Sequence, residues 1–255
     1  MRITLVGLSV RFDYKIVNPI QLKQHAADLF GLQLTQTHLD AFERFAALLV
    51  EWNERINLTA ITDEEGVRVR HLLDSLSVCQ AVTLEPGMRV IDVGTGAGLP
   101  GLPLHIVIPG LHTVLMEATG KKLRFLDHVI AELKLENMHT LHARAEDAGQ
   151  NPDHRQCYDR VLARSVARLP ALAEYLLPLA KIGGQCVAMK GTTAHSEVDD
   201  ALNAIETLGG AVHSIEAVDL PGVDDTHYLI VIEKRTPTPR TYPRSPGTPT
   251  RKPIT

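Results

Sequence analysis

The stretch Arg89-Val-Ile-Asp-Val-Gly-Thr-Gly-Ala-Gly-Leu-Pro-Gly101 constrains the fold more than any other part of the chain. Apolar and β-branched residues surround Asp92 and read as a buried strand. Gly94, Gly96 and Gly98 then fall at every second position, and a helical pattern begins. Glycines there let the backbone turn sharply and let a ligand approach the main chain. The helix beyond turns its free N–H groups back toward that ligand.

Three readings of this turn stay open on the local pattern. Asp92, Gly94, Gly96 and Gly98 spell the D-x-G-x-G-x-G form seen in S-adenosylmethionine (SAM) methyltransferases. Gly96, Gly98 and Gly101 also satisfy the dinucleotide fingerprint G-x-G-x-x-G. A ligandless structural turn is the third. Two details favour SAM. A dinucleotide fingerprint begins as the strand ends, whereas Gly96 lies past Val93. Asp92 suits the cationic amino acid end of SAM and would repel a pyrophosphate.

The 255 residues suffice for one large domain with a small attachment, and 44% hydrophobic against 22% charged residues make a globular chain. Cys79, Cys157 and Cys186 are far apart and form no C-x-x-C, so neither a disulfide framework nor a zinc site is expected. The twelve histidines form no ligand-spaced cluster, and no metal is expected. No run reaches the roughly 18 apolar residues of a membrane span, so a cytoplasmic protein is expected. A net charge of −4 argues mildly against a nucleic-acid partner, but its distribution argues the other way. Residues 234–255 hold six basic residues and no acid, which leaves −10 on the rest of the chain. A basic tail on an acidic body points to a polyanion reached locally.

Residues 1–17 form a leader without assignment. Residues 18–85 read as an N-terminal helical region, in which Leu39, Phe42, Ala46, Leu49 and Trp52 keep the spacing of a buried stripe. Asn53 and Asn57 read either as a helix-end turn or as a polar edge over a cleft. In a third helix, Glu64 to Val82, Arg70, His71, Asp74 and Ser75 share one side. An Arg70–Asp74 ion pair is one reading of them; the other turns Arg70 and His71 toward the cofactor or a phosphate. Glu85-Pro-Gly87 marks a domain boundary.

Residues 86–235 alternate strands and helices. Strands are expected at 89–93, 112–117, 138–142, 158–163, 184–189, 211–218 and 227–233. Helices are expected at 98–108, 119–135, 168–181 and 195–208, the last opened by a Ser196–Asp199 capping box. Only Pro221 to Asp225 separates the last two strands, which must therefore pair antiparallel. The expected fold is α/β: a seven-stranded, Rossmann-like, SAM-dependent methyltransferase sheet with an N-terminal helical extension.

In such a sheet the ligand lies across the carboxyl ends of the strands. That edge collects Asp92 and Gly94, Glu117 for the ribose hydroxyls, Arg144 to Asp147 beside an adenine, Arg164 at the substrate mouth, and Lys190 next to it. Each is also readable as a solvated strand end. The tail, residues 236–255, carries six of the 15 prolines and is expected to be extended. It reads as a solubilising tail or as an arm on RNA, with Arg240, Arg244, Arg251 and Lys252 on phosphates and Tyr242 stacking.

Trp52-Asn-x-x-x-Asn-Leu-Thr-Ala60, Arg70-His-x-x-Asp-Ser75, Asp92 to Gly101, Lys121-Lys-x-x-Phe-Leu126, Arg144-Ala-Glu146 and Ala188-Met-Lys-Gly191 together resemble the RsmG (GidB) family. The ending Tyr-Pro-Arg244-x-x-Gly-x-Pro249 is similar to one branch of it, and the resemblance covers roughly residues 19–254. It implies a bacterial methyltransferase of a guanine N7 in the 530 loop of 16S ribosomal RNA, acting on that RNA or on the small subunit, and a monomer. The family's cofactor contacts fall on Gly94, Leu99, Glu117, Ala118, Thr119, Ala145, Glu146 and Arg164, and the glycine turn adds Asp92 and Gly96 as cofactor-binding candidates. An arginine is common in the family where this chain has His227, which puts an anion contact there in doubt.

Guanine N7 has a lone pair and no proton, so in-line transfer needs no general base, and none is assigned. Arg164 is expected on the cofactor carboxylate or an RNA phosphate. Arg70 and Lys190 are expected on phosphates. Deleting the tail is expected to raise the KM for RNA and leave SAM affinity intact. A nicotinamide-dependent oxidoreductase would need a proton relay that the sequence lacks. A non-catalytic RNA-binding scaffold would bind RNA regardless of SAM.

Overall fold

The computed structural model describes residues 18–254; the leader lies outside them. Helices α1 (Pro19–Phe30) and α2 (Gln36–Asn53) open the described chain. Asn18 caps α1 and Gly31 ends it in the left-handed region. The third helix, α3, joins Glu64–Gly66, a π-helical stretch Val67–Leu73, Asp74–Leu76 and Val78–Ala81.

The sheet follows: β1 (Arg89–Val93), β2 (His112–Glu117), β3 (Met138–His142), β4 (Tyr158–Arg164), β5 (Ala180–Lys190), β6 (Gly210–Val218) and β7 (His227–Lys234). Between them lie α4 (Gly101–Val107), α5 (Gly120–Glu132), α6 (Ala145–Gln150), α7 (Leu169–Leu176) and α8 (Ala194–Thr207). A short α9 (Thr248–Arg251) closes the tail. The strand order is β3-β2-β1-β4-β5-β7-β6. The first five are mutually parallel and β7 runs antiparallel to both neighbours, as the short Pro221–Asp225 link requires.

Period-two alternation divides the core. Val90, Leu115, Leu162 and Val187 face the side covered by α1 to α5, whereas Ile91, Val114, Val161 and Cys186 face α6 to α8. The N-terminal helices thus share one core with the sheet, and the boundary at 85–87 does not separate two cores.

Four local expectations are corrected. Helix α7 stops at Leu176 because Pro178 lacks an N–H and restricts the residue before it. The freed residues lengthen β5 back to Ala180. Helix α8 begins at Ala194, with Thr193 and not Ser196 at its N-cap; Ser196 Oγ donates to the Thr193 carbonyl at 3.0 Å. Residues 145–150, where no helix is expected, form α6. The tail is not a free arm but a strap packed on α6 and α7, described below.

Candidate active site

The strand order reverses between β1 and β4, and a cavity of about 520 Å³ opens there at the carboxyl edge. Its walls come from the glycine turn after β1, the ends of β4 and β5, the start of β7, α3 and the loop from Leu58 to Ile61.

Gly94 and Gly96 adopt φ of +67° and +60°, which side-chain-bearing residues rarely accept. The nearest atom to a Cβ built on Gly96 is 4.0 Å away, so this backbone is an open ledge beside the cavity. The amides of Gly94 and Thr95 donate to the Met116 carbonyl, tying the turn to β2. Asp92 does not reach the cavity, contrary to expectation. Its Oδ2 accepts from Thr95 Oγ1 at 2.6 Å and Gly101 N at 2.8 Å, while Oδ1 is buried with no hydrogen-bond partner among the described residues. Burial pushes its pKa up to about 6, against the lowering effect of the Thr95 and Gly101 hydrogen bonds. Asp92 holds the turn from behind.

Glu117 ends β2 beside this ledge. Its carboxylate accepts from Gly96 N at 3.1 Å and Thr119 N at 2.9 Å, with Lys122 Nζ 3.9 Å away. Ala118 and Thr119 are exposed just beyond. Gly94, Gly96, Leu99 and Arg164 line the cavity, whereas Glu117, Ala118 and Thr119 at the end of β2 and Ala145 and Glu146 at the start of α6 lie outside its lining. The donor set fits SAM: an anchored acid for two hydroxyls, a backbone ledge and a cavity of sufficient size.

The opposite wall is organised by Asp74, which is 3% exposed. Its Oδ2 accepts from Arg164 Nη1 at 2.8 Å and its Oδ1 from His227 Nδ1 at 2.9 Å. Burial raises the Asp74 pKa, yet the His227 hydrogen bond and the Arg164 charge outweigh it and leave the carboxyl below its usual range. In return the Asp74 bond raises the His227 pKa. The Arg70–Asp74 pair, one of the two readings of this helix, does not form among the described residues. Arg164 also donates to the Arg70 carbonyl at 2.9 Å, while the Arg70 side chain is exposed at the rim and makes no ion pair among the described residues.

His71 lies beside them, its Nε2 2.9 Å from Thr59 Oγ1 and its Nδ1 buried with no hydrogen-bond partner among the described residues. Burial and the Arg164 charge lower its pKa. Asn53 Oδ1 accepts from Leu58 N and Thr59 N at 2.8 and 3.0 Å, so the helix-end turn is the correct reading of Asn53, and it positions Thr59.

Two expected phosphate ligands are already paired, Lys190 in the cavity lining and Arg244 away from it. Lys190 Nζ bonds Glu197 at 2.8 Å and the Ala167 carbonyl at 2.5 Å. Arg244 clamps Glu174, with Nη2 at 2.6 Å from Oε2. Arg240 is exposed. Sequence reasoning missed Asp74 as the hub of the wall. No local signal marks it, because Asp74 reads as part of the polar side of its helix and its cations lie 90 and 153 positions away.

Residues 38–225 match the family described as rRNA small subunit methyltransferase G (GidB). A protein named ribosomal RNA small subunit methyltransferase G from Alkaliphilus metalliredigens (strain QYMF) is 46% identical over 224 residues, covering 88% of this chain and 94% of that one. Its namesake from Roseiflexus sp. (strain RS-1) is 48% identical over 230 residues, 90% of this chain and 97% of that one. Among solved structures, a mutant of a 16S rRNA (adenine(1408)-N(1))-methyltransferase from Catenulisporales acidiphilia superposes with a TM-score of 0.50 at 16% identity, covering 60% of this chain and 88% of that one. Geranyl diphosphate C-methyltransferase from Streptomyces coelicolor A3(2) also gives 0.50, at 15% identity, over 64% of this chain and 78% of that one. With the glycine turn, the acid at the end of β2 and this likeness along most of its length, the chain belongs to the rRNA small subunit methyltransferase G family.

Proposed function

We propose that the protein transfers a methyl group from SAM to N7 of a guanine in the 530 loop of 16S ribosomal RNA. The observation that carries the reading is the cavity at the β1/β4 reversal, walled on one side by the Gly94–Gly96 ledge and on the other by the Asp74–Arg164–His227 cluster. When bound, SAM supplies an electrophilic methyl group. Gly94, Gly96, Leu99 and Glu117 would hold it, with Ala118 and Thr119 at the ribose side.

The chemistry asks little proton handling of the chain. N7 presents a lone pair, so acceleration comes from holding it about 3 Å from the methyl group in line and from the field around it. The guanine gains positive charge as transfer proceeds. A bare arginine over the base would oppose that change. Here Asp74 offsets the Arg164 charge, and His227 donates to the same carboxylate. A target base must be exposed in a loop or drawn from its stack to enter. Arg70, exposed at the rim, takes a neighbouring phosphate; exposed Arg240, on the strap beside Gln150, would meet a separate stretch of RNA.

The test is transfer of tritium from methyl-labelled SAM to small-subunit RNA, assayed on naked RNA and on assembled subunits, with digestion to nucleosides. Label in 7-methylguanosine supports the reading. Label in another nucleoside, or none with either substrate, refutes it.

A further inference from the structure

The basic proline-rich tail is built into the body. After β7, Arg235 N and Thr236 N donate to the Gly209 carbonyl, and Thr238 Oγ1 donates to the Leu208 carbonyl at 2.7 Å. Arg155 then reaches four carbonyls: Gly149, Tyr242, Thr238 and Pro239, at 2.6 to 3.2 Å. Gln150 donates to the Pro243 carbonyl at 2.7 Å. Proline-rich backbone has few partners of its own, and α6 with the turn after it supplies them from side chains.

Two buried carboxylates meet this strap. Glu174 on α7 is 0% exposed and takes Arg244 through its backbone N, Nε and Nη2. That ion pair is an anchor remote from the cavity. Glu146 on α6 is 5% exposed, and its Oε1 accepts from Gly247 N at 2.8 Å. Beyond this bond, Tyr175 OH meets Thr250 Oγ1 at 2.7 Å and Pro249 is buried.

Glu146 differs from Glu174 in its place. It follows the carboxyl end of β3, next to β2 and the Glu117 acid. A ligand that starts at the β1 turn and leaves its ribose at the end of β2 carries its base on toward β3. The turn from Ala143 to Glu146 is where that base ends. A buried carboxylate without a donor would pull this turn toward water.

We propose that the strap is a positioning element of the cofactor site: the Gly247 amide clasps Glu146 and so fixes the β3–α6 turn against which the adenine of SAM lies. Glu146 acts through its backbone position, its side chain being turned to the strap. This rests on SAM lying across the carboxyl edge, and it opposes the expectation that losing the tail leaves SAM affinity intact.

The experiment compares the full chain with one ended after Ser245, which keeps the Arg155 and Arg244 anchors and loses the clasp. S-adenosylhomocysteine binding is measured by calorimetry, and folding by thermal melting. A hydrogen bond to a charged group implies a loss of affinity of about tenfold. Glu146→Ala in the full chain should lose as much, Glu146→Gln, which still accepts from the amide, should recover most of it, and shortening the Glu146→Ala chain should add nothing. Affinity within twofold of the full chain overturns the proposal, and so does a loss that adds to that of Glu146→Ala. Should the shortened chain not fold, the Ala and Gln variants decide alone. A full chain that binds no S-adenosylhomocysteine refutes the methyltransferase reading instead.

Discussion

Arg164 and Asp74 stand 90 positions apart in the chain and 2.8 Å apart in the fold. The carboxylate sits on a helix packed over one face of the sheet, the guanidinium at the end of a central strand. Because Asp74 also holds His227, it ties α3, β4 and β7 into one wall.

Asp74→Ala should therefore harm both stability and turnover. Removing one partner of a buried pair strands the other, at a cost of about 3 kcal/mol. Thermal melting should show the loss, and methyl transfer should fall roughly a hundredfold in kcat/KM, about 2.7 kcal/mol. Wild-type turnover in a variant that melts earlier would remove Asp74 from the site.

His227 gives the wall a pH dependence. Its pKa lies above the ordinary 6.5 because Asp74 accepts from it. The stabilisation is whole below the unfolded value and is lost as pH climbs through the raised folded one. The cation available to RNA is lost over the same range, so the KM for RNA should rise there. His227→Arg, which keeps the charge, should flatten the profile. An unchanged step in that variant would assign it to another group.

Asp92 acts in the same direction on the pH axis, as a cost that grows and not as a gain that fades. Its folded pKa of about 6 lies above the ordinary value of 3.8, so it costs stability as pH rises from the lower value to the higher. The full cost is on the order of 3 kcal/mol. Asp92→Asn removes the titration. Melting temperatures of the two proteins should diverge between those values, with the wild type losing ground as pH increases. Parallel curves would contradict the burial seen at Oδ1.

Glu117→Ala removes the acceptor for Gly96 N and Thr119 N and the group offered to the ribose. Binding of S-adenosylhomocysteine should weaken by roughly tenfold to a hundredfold, given about 1.5 to 3 kcal/mol for hydrogen bonds to a charged group. Equal affinity in calorimetry would place the ribose elsewhere.

Arg70→Ala should act on RNA alone. The KM for RNA should rise and its salt dependence weaken by about one phosphate contact, with cofactor affinity unchanged. A changed cofactor affinity would put Arg70 on the wrong side of the cavity.

Much of the sheet was legible because alternation and length mark buried strands well. The first three strands coincide with their expected bounds. The edge that carries the cavity was legible for the same reason, since strand ends locate it without further motifs. Helix α6 was not: Ala-Glu-Asp-Ala-Gly-Gln is too short and too polar to display a helical period. Nor was the Asp74 cluster, whose partners are 90 and 153 positions away. The strap was hidden by composition, because prolines and arginines read as solvated chain. One trace of it was visible. Glu174 interrupts the apolar run Leu169 to Leu176, and a carboxylate in that setting needs a partner from outside its helix.

The π-helical stretch Val67–Leu73 winds wider than an ordinary helix just ahead of Asp74. Deleting a single residue there would let the turn tighten to ordinary winding, and the slack so released would take up most of the missing residue. Asp74 would then keep its direction toward both of its cations, so the wall should survive the loss of one residue from the very turn that precedes it.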